Sequence, residues 1–196
     1  MARYILLGVF FSAIFQGLAL AADAPSMPQP GQPFTIRFPD MPPTLYAMAH
    51  KKNMPTAMTI FLPKNYDAQR KCPLLILLGG GDGGPASGAT VARKVTEESD
   101  FVCVDLPLFR EKLDPPPAIA IRDNDFKFMW PIFKKMLAKL DQTVPNIDPA
   151  HRIIGGFSNG GHTTAGMIDE VGEEFVNYFS AFVFVEGGFK LQHCAR

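Results

Sequence analysis

From Pro73 onward the chain alternates between short unbroken apolar runs and longer stretches in which apolar residues recur every three or four positions. Leu74-Leu75-Ile76-Leu77-Leu78 is apolar on both faces, as a central parallel strand covered by helices on either side requires, and glycines follow it directly. Ala89 to Glu98 places Val91, Ala92 and Val95 at helical spacing and reads as one of the covering helices. Phe101-Val102-Cys103-Val104 is the next strand and ends at Asp105. Helical periodicity returns with Phe126, Met129, Trp130, Phe133, Met136, Leu137 and Leu140, with Pro131 accommodated in a first turn. Ile147-Asp148-Pro149 is expected to break the chain before a strand at Arg152-Ile153-Ile154. A helix over Gly160 to Ile168 and a last strand at Phe182 to Val185 follow. Such alternation predicts an α/β domain built on a mostly parallel sheet.

Ahead of Pro73 the pattern is weaker. Ala57 to Leu62 alternates loosely and stops at Pro63, where Lys64-Asn65-Tyr66-Asp67 supplies turn chemistry. Residues 22–56 read as a Pro-rich leader containing one strand-like piece, Phe34 to Phe38, suited to a sheet edge. Residues 1–21 carry Arg3, an apolar run from Ile5 to Phe15, and the small-x-small sequence Ala19-Leu20-Ala21, which together predict a signal peptide cleaved after Ala21 or Ala22. The mature chain is then expected to be secreted or periplasmic, without a stable membrane anchor. Between Leu106 and Asn124 periodicity dissolves around Pro115-Pro116-Pro117, and a surface insertion is expected there.

Length and charge narrow the classes. The chain has 196 residues, enough for one compact core. Lys plus Arg and Asp plus Glu both number 19, so the positive field that selects phosphate backbones is absent and nucleic acid is not an expected partner. The three cysteines, Cys72, Cys103 and Cys194, permit at most one internal bridge. Cys103 lies in an apolar run and reads as a buried small hydrophobe, whereas a Cys72 to Cys194 bridge is geometrically open. No Cys or His spacing matches a metal site, and neither a metal nor a cofactor is expected.

Two glycine-rich constellations carry the chemistry. Gly156-Phe157-Ser158-Asn159-Gly160 lies directly after a strand and before a helix. In that context a serine sits on a sharp, strained turn with its hydroxyl projecting, and small flanking residues leave room for neighbouring chain. The helix amino terminus lends partial positive charge and backbone donors, Asn159 among them, to an oxyanion formed there. Gly79-Gly80-Gly81-Asp82-Gly83-Gly84 follows the most apolar strand. Its amides can converge on the same oxygen, with Gly80 and Gly81 as donors. Two other readings of that loop stand beside this one: a tight turn with no ligand, and a G-x-G-x-x-G dinucleotide fingerprint with Asp105 as the ribose-binding carboxylate. Against the fingerprint, the helix is expected to begin only after Pro85-Ala86-Ser87-Gly88, too late to hold a pyrophosphate.

Taken in order, Pro63 with Tyr66 and Asp67, the glycine loop after Leu78, Ile147-Asp148-Pro149 with Arg152, and Gly156-Phe157-Ser158-Asn159-Gly160-Gly161 resemble secreted α/β-hydrolases of the polyhydroxybutyrate depolymerase and feruloyl esterase type. The likeness runs from about Thr59 to Gly188. It implies a three-layer α/β-hydrolase domain over residues 57–196 and a carboxylic ester, small or polymeric, as substrate. Ser158 would be the nucleophile, with Asn159 and a residue among Gly80 and Gly81 as oxyanion donors. The family often has His before its loop glycines, where this chain has Leu78.

Such folds present Ser, then an acid, then His along the chain. After Ser158 only His162 and His193 are imidazoles. His162, four residues past Ser158, is expected on the following helix in a structural role. Glu186 and His193 stand in the required order and are the candidate acid and base, but little chain separates them in which to return an imidazole over the sheet. An incomplete triad is therefore expected, in a domain truncated at its C-terminus and lacking its last strands. Loss of the base costs on the order of 10⁶ in turnover. A secreted binding module that keeps the hydrolase framework without catalysis is the alternative. The apolar last strand would leave an open edge through which copies can associate.

Overall fold

The structure, a computed structural model, describes residues 27–40, 45–47, 56–81, 87–111 and 125–185. Eight strands and four helices follow in the order β1 (Pro33–Phe38), β2 (Leu45–Ala47), β3 (Thr56–Phe61), β4 (Cys72–Leu78), α1 (Ser87–Val95), β5 (Val102–Asp105), β6 (Phe109–Glu111), α2 (Asp125–Thr143), β7 (Ile147–Phe157), α3 (Asn159–Glu170), α4 (Glu173–Val176) and β8 (Ala181–Val185). Six strands form one sheet in the order β1-β3-β5-β4-β7-β8, and β2 pairs with β6 separately. From β5 to β8 every pairing is parallel; β1 and β3 join antiparallel at one side.

The unbroken apolar run of β4 is explained by its central place. Leu74, Ile76 and Leu78 face one buried cluster with Phe133 and Met136 of α2 and Met167 of α3, while Leu75 and Leu77 face a second cluster with Ala89 and Ala92 of α1. Helices therefore cover both faces, giving three layers. The chain leaves β4 toward β5 through α1, then returns past β4 to β7 through α2. With right-handed crossovers, this reversal of direction puts α1 and α2 on opposite faces. α1 seats tightly: a Cβ at Gly88 would stand 1.6 Å from the carbonyl oxygen of Leu77.

Several sequence expectations need correction. The insertion expected from Leu106 cannot include Leu106 and Leu108, which are buried in the main core. Phe109–Glu111 then forms β6, while residues 112–124 lie outside the described residues. Pro131 is not in the first turn, because α2 opens at Asp125 and the proline falls inside the helix, on its exposed face. Nor does Ile147-Asp148-Pro149 end a segment; β7 begins at Ile147 and its register against β4 shifts between Cys72 and Leu74. Pro149 sits where the ladder is out of step, the position in a strand that tolerates a missing N–H. Asp148 accepts from the Ala150 amide at 3.0 Å and stabilises that irregularity. Cys72 and Cys103 are buried free thiols; burial pushes the Cys72 thiol up to about 11. Cys194 and residues 1–26, which include the expected signal peptide over 1–21, lie outside the described residues.

Candidate active site

Ser158 stands at the corner between β7, which ends at Phe157, and α3, which opens at Asn159. Its backbone has φ 50 and ψ −112. A residue bearing Cβ avoids this region, at a cost of about 1–3 kcal/mol, and holds it only where surrounding structure enforces it. Here the enforcement is visible. The Ser158 amide donates to the carbonyl of Val185 on β8 at 3.1 Å, and its carbonyl accepts the first helical bond, from the His162 amide, at 3.0 Å.

The flanking glycines are steric requirements. A Cβ on Gly156 would lie 2.1 Å from the carbonyl carbon of Gly160, and one on Gly160 would lie 2.3 Å from the carbonyl oxygen of Leu78. Helix α3 thus leaves the strand so abruptly that its first turn rests on β7 and β4 without intervening side chains. The corner raises Ser158 to a partly exposed position beside Phe157, which is 40% exposed. No side chain of α3's own first turn is acidic, so none of them offsets the positive end of its dipole.

The glycine loop arrives from the neighbouring strand. Leu78 of β4 lies opposite Gly156 of β7, so residues 79–81 emerge beside the Ser158 corner. A Cβ on Gly80 would stand 2.6 Å from the ring of Phe157 and 3.3 Å from its carbonyl oxygen. Gly81 has φ +58, and among the described residues nothing lies within 4 Å of where a Cβ would be. Asn159, 6% exposed, donates from Nδ2 to the Gly81 carbonyl at 2.7 Å. Ser158, Asn159, Gly80 and Gly81 are therefore neighbours, although the loop and the corner are far apart in sequence.

Glu186 and His193 lie outside the described residues. His162 is half-buried in α3. Asp105, weighed as a ribose ligand, is buried at the end of β5, with Oδ1 2.9 Å from where a Cβ on Gly88 would stand. Buried there, it offers a ribose little open surface. α1 opens at Ser87, earlier than the periodicity implied. The sequence reading missed two contributions: the ring of Phe157 against Gly80 and the side chain of Asn159. Both are contacts across the fold, with no local signal to reveal them.

The architecture is of the α/β-hydrolase type. It is similar to the fluorophosphonate-binding serine hydrolase F of Staphylococcus aureus, at 14% identity and TM-score 0.52, over 84% of this chain and 60% of that one. An acetyl xylan esterase from Aspergillus awamori matches at 13% identity and TM-score 0.52, over 80% of this chain and 52% of its own. An arylesterase matches at 12% identity and TM-score 0.51, over 89% and 51%. The chain thus spans about half to three-fifths of the length of these proteins. No family model matches it, and neither does any curated protein sequence.

Proposed function

We propose that this chain is a secreted serine hydrolase that acts on carboxylic esters, of the polyhydroxybutyrate depolymerase or feruloyl esterase type. The observation that carries the proposal is the strained Ser158 at φ 50 between β7 and α3, with the glycine loop of β4 tied to the same corner. Strain of this kind is kept where a side chain must be presented rather than packed. Two of the structures similar in fold are esterases by name, which agrees with an ester as substrate.

In a complete triad the Ser158 oxygen attacks the ester carbonyl and loses its proton to a base, for which His193, oriented by Glu186, is the candidate; without that base the chain is an incomplete hydrolase. The carbonyl oxygen gains the negative charge and is held by backbone N–H groups of Asn159 and of Gly80 or Gly81. Collapse expels the alcohol, and water then releases the acid from the acyl-serine. Residues 1–21 direct export, so the amino terminus of exported protein is expected at Ala22 or Asp23.

The test is hydrolysis of a short aryl ester, with labelling by a fluorophosphonate probe, in the purified chain and in Ser158→Ala. Activity and labelling that vanish in Ser158→Ala support the proposal; a chain that takes no label and shows no Ser158-dependent rate is the binding module instead. His193→Ala and Glu186→Gln should each lower kcat by at least about 10³-fold if they complete the triad.

A further inference from the structure

Both neighbours of Ser158 touch the glycine loop, and they do so differently. Phe157 lays its ring against Gly80, while Asn159 reaches a buried carboxamide across to the carbonyl of Gly81. Gly81 has φ +58, a region glycine enters freely, and among the described residues nothing lies within 4 Å of its Cβ position, so its own sterics do little to fix its peptide plane. A glycine loop used as an anion cradle carries a particular hazard. If a peptide plane rotates, a carbonyl lone pair faces the developing oxyanion in place of an N–H, and attraction becomes repulsion.

From this geometry we infer that Asn159 is a positioning residue: its side-chain N–H locks the Gly81 carbonyl away from the oxyanion and thereby fixes the loop donors before substrate arrives. The inference rests on the serine-hydrolase proposal above and adds a role for the Asn159 side chain to that of its backbone amide. A carboxamide is suited to the task. It donates to the carbonyl at 2.7 Å without bringing charge into a site that must stabilise one, and an aspartate of the same shape would oppose lone pair to lone pair.

Asn159→Asp keeps the volume and removes the donor. The measurements are hydrogen exchange of peptides covering residues 79–81, with residues 72–78 of β4 as internal reference, together with kcat and KM for an aryl ester. Exchange in the loop should rise roughly tenfold, the factor for one lost hydrogen bond of about 1.4 kcal/mol. kcat should fall on the order of 10²-fold with KM within about threefold, as for a lost oxyanion donor. Asn159→Ala repeats the test without a buried charge, should Asn159→Asp fail to fold as judged by the β4 peptides. Unchanged loop exchange in the folded variant, or faster exchange with unchanged kcat, overturns the inference. Ser158→Ala separates the two proposals: it should abolish hydrolysis and leave loop exchange at the wild-type level. A wild-type chain without Ser158-dependent hydrolysis overturns the hydrolase proposal, while loosening of the loop in Asn159→Asp still upholds the lock.

Discussion

At the scale of single residues, Ser158 and Gly160 show how one corner is made from two opposed demands. Ser158 bears a Cβ in a backbone region that disfavours one, whereas Gly160 lacks a Cβ because the carbonyl of Leu78 occupies its place. Substitutions should therefore move stability in opposite directions. Ser158→Gly relieves strain and should stabilise the chain by about 1 kcal/mol while removing the hydroxyl. Gly160→Ala would have to push α3 away from β4 and should destabilise by about 3 kcal/mol. Denaturant titration of both variants checks the pair; equal shifts in midpoint, or shifts of reversed sign, would contradict this account of the corner.

At the scale of elements, α2 forms in spite of its sequence. Pro131 lies inside it, with no N–H to offer the carbonyl four residues earlier, and is exposed to solvent. What holds the helix is its buried face, where Met129, Phe133, Met136, Leu137 and Leu140 are all at 1% exposure or less. Burial of each such side chain is worth about 1.5–3 kcal/mol, which together outweighs one proline at about 3 kcal/mol. Pro131→Ala should raise stability by about 1–3 kcal/mol, read as an increase in the thermal midpoint. The apolar period was therefore legible and the helix boundary was not, because propensity argued for a start near the proline and tertiary packing overrode it. The same competition explains β7, where Ile147-Asp148-Pro149 has the composition of a break yet is carried as an irregularity within a strand by pairing with β4.

At the scale of the whole molecule, the sheet ends among the described residues on β8, whose Val183, Phe184 and Val185 are each more than a third exposed. Ala181-Phe182-Val183-Phe184-Val185 contains no charge and no proline, the features that keep an open strand from pairing with another chain. Where nothing beyond Val185 covers this edge, the purified chain is expected to associate with concentration through it, and Val183→Lys to suppress it. Sedimentation velocity across a concentration series checks this; association that Val183→Lys leaves untouched would place the contact elsewhere.

The strand-and-helix alternation, the twice-buried central strand and the glycine spacing around Ser158 were all readable along the chain, since each depends on neighbours two to five positions apart, where pleat, helical turn and steric room leave their mark. That Gly80, Gly81 and Ser158 share one site was expected from their chemistry, but no local spacing brings them together. It follows from β4 and β7 lying side by side while their chains depart to α1 and α3 on opposite faces, a pairing set by how the core is buried and by the hand of the crossovers. The bond from Asn159 to Gly81 exists only once that strand order is in place.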